Sequence, residues 1–173
     1  MSGAPHWRPH LVGELVELRP LAADDFPRLF AVASDAAIWA QHPARDRYQE
    51  PVFRAFFDGA LASAGAFLVV DRASGSAIGS TRFDHYDAQR SEIEIGWTFL
   101  ARSHWGGRYN GEMKRLMLDY AFQYVERVYF VIGAGNVRSR TAVERIGAVL
   151  SDERVDRDPD GTLVCKVIYD IRR

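Results

Sequence analysis

LVELRPL, residues Leu15 to Leu21, alternates apolar and polar positions as far as Pro20 and predicts a first strand. In ADDFPRLFAVASD the period changes. Phe26, Leu29, Phe30 and Val32 recur at near-helical spacing, Asp24 or Asp25 fits an N-cap, and Pro27 fits a first turn. IWAQHPARDRYQEP is polar and irregular. EPVFRAFFDGALASAG then predicts a second helix, with Phe53, Phe56, Phe57 and Leu61 on one side. Period two returns in Phe67 to Asp71 and Ala77 to Tyr86, a hairpin joined by the turn residues RASGS. SEIEIGWTFL, Ser91 to Leu100, is the clearest alternation. Glu92, Glu94, Gly96 and Thr98 fall on one face, and Ile93, Ile95, Trp97 and Phe99 on the other.

Beyond it, EMKRLMLDYAFQYV carries a helical stripe of Met113, Leu116, Met117, Tyr120, Ala121 and Tyr124. VYFVIGAG predicts a buried strand. NVRSRTAVERIGA predicts a helix capped by Asn136 and stopped by Gly147. AVLSDERV and LVCKVIYDIRR are two strands around the turn DPDG. Seven strands and four helices result. Consecutive strands favour antiparallel pairing, and the strand–helix–strand unit around the third helix favours one parallel pair. The class is a mixed α/β (α+β) sheet, not a doubly wound one.

At 173 residues, 47% hydrophobic and 26% charged, the chain suits a single domain over residues 1–173. A net charge of −1 gives no basic field for nucleic acid, and no apolar run approaches the roughly 20 residues a membrane helix needs. The one cysteine, Cys165, cannot form an internal disulfide. A reducing, cytoplasmic setting is expected, with Cys165 acting as a small buried hydrophobe. No metal is expected.

Candidate chemistry concentrates in WGGRYNGEMKRL, Trp105 to Leu116, where a strand runs through a glycine-bearing turn into a helix. Helix N-termini present unpaired N–H groups and partial positive charge, and glycines permit left-handed angles and close approach. Together they suit a pyrophosphate, although such turns also contain glycine for steric reasons alone. The P-loop and dinucleotide-binding spacings do not fit Gly106, Gly107 and Gly111.

The element order, with IEIGWTFLARSHWGGRYNGEMKRLML and VIGAGNVRSRTAVERIGAVL, resembles the GNAT superfamily of acyl-CoA-dependent N-acetyltransferases. The nearest resemblance is to the branch containing ribosomal-protein N-terminal alanine and serine acetyltransferases. It rests on Ile95-Gly96-Trp97, Trp105 to Asn110, Glu112, Asn136 to Ser139, and Glu144-Arg145-Ile146-Gly147. Arg108 stands where the family signature has glycine, and Asn110 where it has a small residue.

The resemblance implies acetyl-CoA as co-substrate. Its pyrophosphate would sit on the amides of Gly107 to Gly111. Its pantetheine would pair with main-chain atoms near Phe99 and Leu100, in a gap between splayed fourth and fifth strands. Trp105, Gly106, Arg108, Tyr109, Asn110 and Asn136 complete the expected cofactor set, Trp105 and Tyr109 as flanking packing residues. A homodimer is compatible with the fold.

Acetyl transfer to an amine needs a base for the amine, a donor for the oxyanion and an acid for the leaving thiolate. Glu94, Glu92 and His85 are candidate bases, each also readable as an ordinary strand residue. A backbone N–H near Phe99 is the expected oxyanion donor. The resemblance assigns the acid role to Ser139, because Val143 stands where many members carry tyrosine. Ser139 and Asn136 also serve as helix-cap residues. Trp39, His42, Tyr48 and His85 are expected to line the acceptor pocket. The acceptor is a small-molecule or peptide amine of undefined charge, since the two segments expected to build its pocket, IWAQHPARDRYQEP and DHYDAQR, each carry both signs. A GNAT-like module that binds acyl-CoA without turnover is the alternative.

Overall fold

A computed structural model describes residues 4–158 and 160–173. Eight strands form one sheet, here β1 (Leu11–Val12), β2 (Val16–Pro20), β3 (Ala66–Asp71), β4 (Ala77–Asp87), β5 (Glu92–Leu100), β6 (Arg127–Gly133), β7 (Val149–Arg157) and β8 (Leu163–Arg172). The helices are α1 (Phe26–Ala33), α2 (Glu50–Ala62), α3 (Arg108–Ala121) and α4 (Val137–Arg145). The spatial order is β1-β2-β3-β4-β5-β6-β8-β7. Among the described residues only β5 and β6 pair in parallel, because α3 carries the chain across between them.

The eighth strand, beyond the seven expected, is the two-residue β1. It pairs Leu11 with Leu18 and Val12 with Glu17, too short to leave a periodic signal. Pro159 of the expected DPDG turn lies outside the described residues.

Strand β3 is buried on both sides, and its alternation sorts the core into two layers. Phe67 and Val69 join Met113, Met117 and Ala121 of α3 and Val143 of α4. Leu68 and Val70 join Phe26 and Leu29 of α1 and Phe53 and Phe57 of α2. Asp25 does precede α1, but its side chain makes no cap bond to that helix. Its carboxylate instead meets Arg19 at 2.6 Å and Arg28 at 3.3 Å. Cys165 lies in the expected strand, yet it is exposed, a correction to the buried reading. Neither core layer includes a residue of β7, the strand opposite it, so period two alone misassigned its environment.

Glu112 is a structural clamp. Its carboxylate accepts the backbone N–H groups of Glu14, Leu15 and Val16, each at 2.8 Å, tying the β1–β2 turn to α3. A Cβ at Gly13 would lie 2.5 Å from the carboxylate carbon, so this approach requires glycine. Burial pushes the carboxyl pKa up, but the three N–H bonds outweigh it and hold the pKa below the ordinary value. Glu112→Ala is expected to cost about 3 kcal/mol by leaving three donors unpaired, lowering Tm by roughly 6–12 °C. Because the folded pKa is depressed, this stabilisation is present above the unfolded pKa and lost as pH falls through the folded one. Thermal melts of both proteins at neutral and acid pH check it: the difference should shrink in acid.

Candidate active site

Two irregularities in β5 open the sheet. The parallel ladder to β6 joins Glu92 to Arg127, Ile93 to Val128 and Glu94 to Tyr129, and then stops. From Ile95 onward the strands diverge, the splay expected of the fourth and fifth strands. The second irregularity overturns the regular alternation. Ser80 pairs with Phe99 and Arg82 with Gly96, so β5 spends one extra residue against β4. Trp97 absorbs it at φ +52°, a bulge in which a bulky residue is strained. Past the bulge the faces exchange. Ile93 and Ile95 pack in the α3 layer, whereas Phe99 joins Trp39 and Phe53 in the α1–α2 layer. The Thr98 hydroxyl reaches α3, where it accepts a bond from Lys114 Nζ at 2.5 Å.

The glycine turn follows directly. Gly106 and Gly107 have φ of +112° and +102°, so both need glycine, and Gly107 caps α3. Gly111 N–H already donates to the Gly107 carbonyl at 2.8 Å. The amides without an intrahelical acceptor are therefore those of Gly107, Arg108, Tyr109 and Asn110, the expected set of Gly107 to Gly111 less its last member. Trp105 fixes the turn: its indole N–H donates to the Leu100 carbonyl at 2.9 Å, and the Arg138 guanidinium stacks on it at 3.8 Å. That bond also occupies one of the main-chain atoms expected to serve pantetheine. Tyr109 packs edge-on to His104, with ring centroids 4.7 Å apart.

The splay and the turn open into one cavity of about 530 Å³. Of the expected cofactor residues, Phe99, Leu100, Trp105, Gly106, Gly107, Asn110, Gly111, Asn136 and Ser139 line it, and Arg108 and Tyr109 do not. Asn136 caps α4 by accepting the Ser139 N–H at 3.2 Å, and Ser139 reaches the cavity through its own side of that first turn.

The candidate bases separate. Glu94 lines the cavity and is 6% exposed, with His85 Nδ1 at 2.5 Å from its Oε2. Burial raises the Glu94 pKa, and the contact with His85 only partly opposes this. His85 itself sits at φ +52°, strained, in the same cavity wall. Glu92 stays outside, its carboxylate bonded to Arg127 at 2.6 Å. Of the acceptor candidates, Trp39, His42 and His85 line the cavity; Tyr48 is exposed and does not.

Several lining residues escape a sequence reading: Arg47, Lys114, Arg138, Arg145, Arg154 and Lys166. Arg145 Nη1 lies 3.5 Å from where a Cβ on Gly107 would stand, beside the free amides. A basic side chain at a helix N-terminus suits a diphosphate. In sequence the Glu-Arg-x-Gly end of α4 is only a motif; spacing alone does not signal that Arg145 turns toward a loop some forty residues earlier.

The sequence model of the Acetyltransferase (GNAT) domain family matches residues 16–149. The chain belongs to the GNAT acetyltransferase family. Its fold is similar to a GCN5-related N-acetyltransferase from Brucella melitensis, with TM-score 0.81, 24% identity, and coverage of 95% of this chain and 79% of that one. It is likewise similar to a T. thermophilus protein provisionally described as an acetyltransferase, with TM-score 0.76, 27% identity, and coverage of 99% and 92%. A Vibrio cholerae protein provisionally described as a ribosomal-protein-serine acetyltransferase gives TM-score 0.75 at 15% identity over 98% and 100% of the two chains, a likeness of fold. As a GNAT member the protein is an acyltransferase of a family that uses acetyl-CoA and acts on amines. Among the described residues, no helix is long and apolar enough to cross a membrane.

Proposed function

We propose that this GNAT domain transfers acetyl from acetyl-CoA to a primary amine, on a small molecule or a peptide N-terminus, by direct attack in a ternary complex in the cytoplasm. The observation that carries this reading is the continuity of the cavity. It runs from Gly107, Asn110 and Arg145 at the α3 N-terminus, through the β5–β6 gap, to the Glu94–His85 pair. The diphosphate lies at the free amides of Gly107 to Asn110, and pantetheine threads the gap. Glu94, with His85 against it, takes the amine proton directly or through water. Ser139 hydrogen-bonds the departing sulfur, and no covalent enzyme intermediate is needed.

Thiol release from acetyl-CoA over a panel of amines and peptides tests the reading. Release dependent on an amine supports it; tight CoA binding with no release on any amine makes the protein a binding module instead. Glu94→Gln is expected to lower kcat by about 10²-fold and to remove the acidic limb of the pH–rate profile. Since only the carboxylate accepts a proton and burial raises its pKa, that limb should lie above the ordinary Glu value of about 4.3. A limb that survives in the variant reassigns the base. Ser139→Ala should lower kcat by about tenfold while the KM for acetyl-CoA stays within about twofold, a split that marks a contact made in the transition state.

A further inference from the structure

The acceptor end of the cavity has a sign of charge. Both of its chain segments carry acids and bases, but the fold sorts them. Asp84 and Glu50 are turned to Arg82 and Arg54 outside the cavity, and Asp46 does not line it either. Among the described residues the only carboxylate lining the cavity is that of Glu94, and His85 already covers it. Against it stand Arg47, Arg138, Arg154 and Lys166. Arg154 and Lys166 face each other across β7 and β8 and share one carboxylate, that of Asp156, at 3.1 and 3.0 Å. Arg47 lies over the faces of Trp39 and Phe56, at 5.2 and 4.5 Å, and among the described residues no carboxylate comes within ion-pair distance of it.

His42 is the focus of this group. Its Nδ1 accepts the Ala44 N–H at 2.9 Å, so the neutral ring carries its proton on Nε2, which is left to donate. Burial, followed by the charges of Arg47, Lys166 and Arg138, pushes its pKa down to about 3, so the ring is neutral at any physiological pH. Three cations from three separate elements therefore bear on one uncharged N–H donor in the cavity that also holds Glu94. Arg47 and Arg138 are partly desolvated and, among the described residues, have no carboxylate partner, which is costly unless an anion joins them.

We propose that His42, Arg47 and Lys166 form an oxyanion subsite, so that the acceptor is an amine carrying a carboxylate, as an α-amino acid does. This rests on the acetyl-transfer reading and narrows it. The carboxylate takes charge-assisted bonds from Arg47 and Lys166 and a neutral one from His42, while the amine is left facing Glu94. A polycationic amine would be repelled by the same field.

Binding and turnover are measured separately. The CoA complex is titrated with the common L-amino acids and their α-carboxamides, reading intrinsic tryptophan fluorescence; thiol release from acetyl-CoA is then followed with the same compounds, O-phosphoethanolamine and spermidine. At least one amino acid should bind and react about tenfold better than its carboxamide, the worth of a charge-assisted bond to a partly buried anion. Arg47→Gln and Lys166→Gln should each erase most of that preference and leave the KM for acetyl-CoA unchanged. Lys166, on β8, carries the test if Arg47→Gln fails to fold. Carboxamides, spermidine or O-phosphoethanolamine performing as well as the acids would overturn the carboxylate subsite. So would variants that weaken acetyl-CoA instead of the acceptor, because the cations would then serve the cofactor. A carboxylate preference in binding with no thiol release from any amine keeps the subsite and strikes only the acetyl-transfer reading.

Discussion

Gly111→Asp is expected to weaken CoA binding by about 10²-fold or more while leaving the protein as stable as before or slightly more so. Gly111 lies in the first turn of α3, lines the cavity, and has no heavy atom within 4 Å of the place a Cβ would occupy. An aspartate there fits without steric conflict and projects toward the site proposed for the diphosphate. Two unit charges about 5 Å apart at an effective dielectric near 20 repel by roughly 3 kcal/mol, which is about two orders of magnitude in affinity. The same carboxylate favours the helix itself, because a negative charge in the first turn opposes the macrodipole, by about 0.3–1 kcal/mol. Affinity and stability should therefore move in opposite directions. Gly111→Ala separates charge from bulk: it fills the same open space, raises helix propensity by up to about 1 kcal/mol, and should leave CoA affinity within a few-fold. Titration calorimetry with CoA on the three proteins, beside their melting temperatures, decides it. Equal affinity for the aspartate variant would move the diphosphate away from this turn.

The elements and the turn were legible because each depends on local chemistry. Period two in Glu92 to Leu100, period 3.6 after Glu112, and Asn136 before α4 are written in adjacent residues. The bulge at Trp97 was not legible, because it is a relation between two strands: β5 has one residue too many only when counted against β4. Trp is also a residue one would not choose for positive φ, so its type hid the conformation. The same miscount placed Thr98 and Phe99 on the wrong faces.

Glu92 and Glu94 share a face and differ only in what lies across from them, Arg127 for one and His85 for the other. That difference is tertiary and decides which carboxylate reaches the cavity. The basic lining has the same character: Arg47, Arg138 and Lys166 lie far apart in sequence and converge only because the α1–α2 loop, α4 and β8 meet over the open end of the sheet. Composition reported a balanced chain, and the balance is real; among the described residues the cavity is lined by six basic side chains and one carboxylate.

Lys114→Met is expected to stabilise the protein, and the gain should depend on pH. Lys114 is 3% exposed on the buried side of α3. Its Nζ donates to the hydroxyls of Thr98 at 2.5 Å and Thr81 at 3.4 Å and lies 5.9 Å from the centre of the Phe130 ring, and among the described residues no carboxylate pairs with it. Burial alone pushes its pKa down to about 7. An unfolded lysine titrates near 10.4, so the folded protein binds fewer protons at this site between the two values, and stability rises with pH across that window. Below pH 7 the full penalty of a buried ammonium applies, on the order of 5 kcal/mol for a shift of this size. Methionine matches the length of the lysine stem and suits a layer that already holds Met113 and Met117. The two threonine hydroxyls remain paired with each other at 2.9 Å, so losing the ammonium forfeits about 1 kcal/mol. The net gain should be about 4 kcal/mol at pH 6, a rise in Tm of roughly 8–16 °C, fading toward pH 10. Melts of both proteins across that range measure it. If the variant were the less stable of the two at pH 6, the ammonium would have to be compensated in the fold, and its burial would be a contribution rather than a cost.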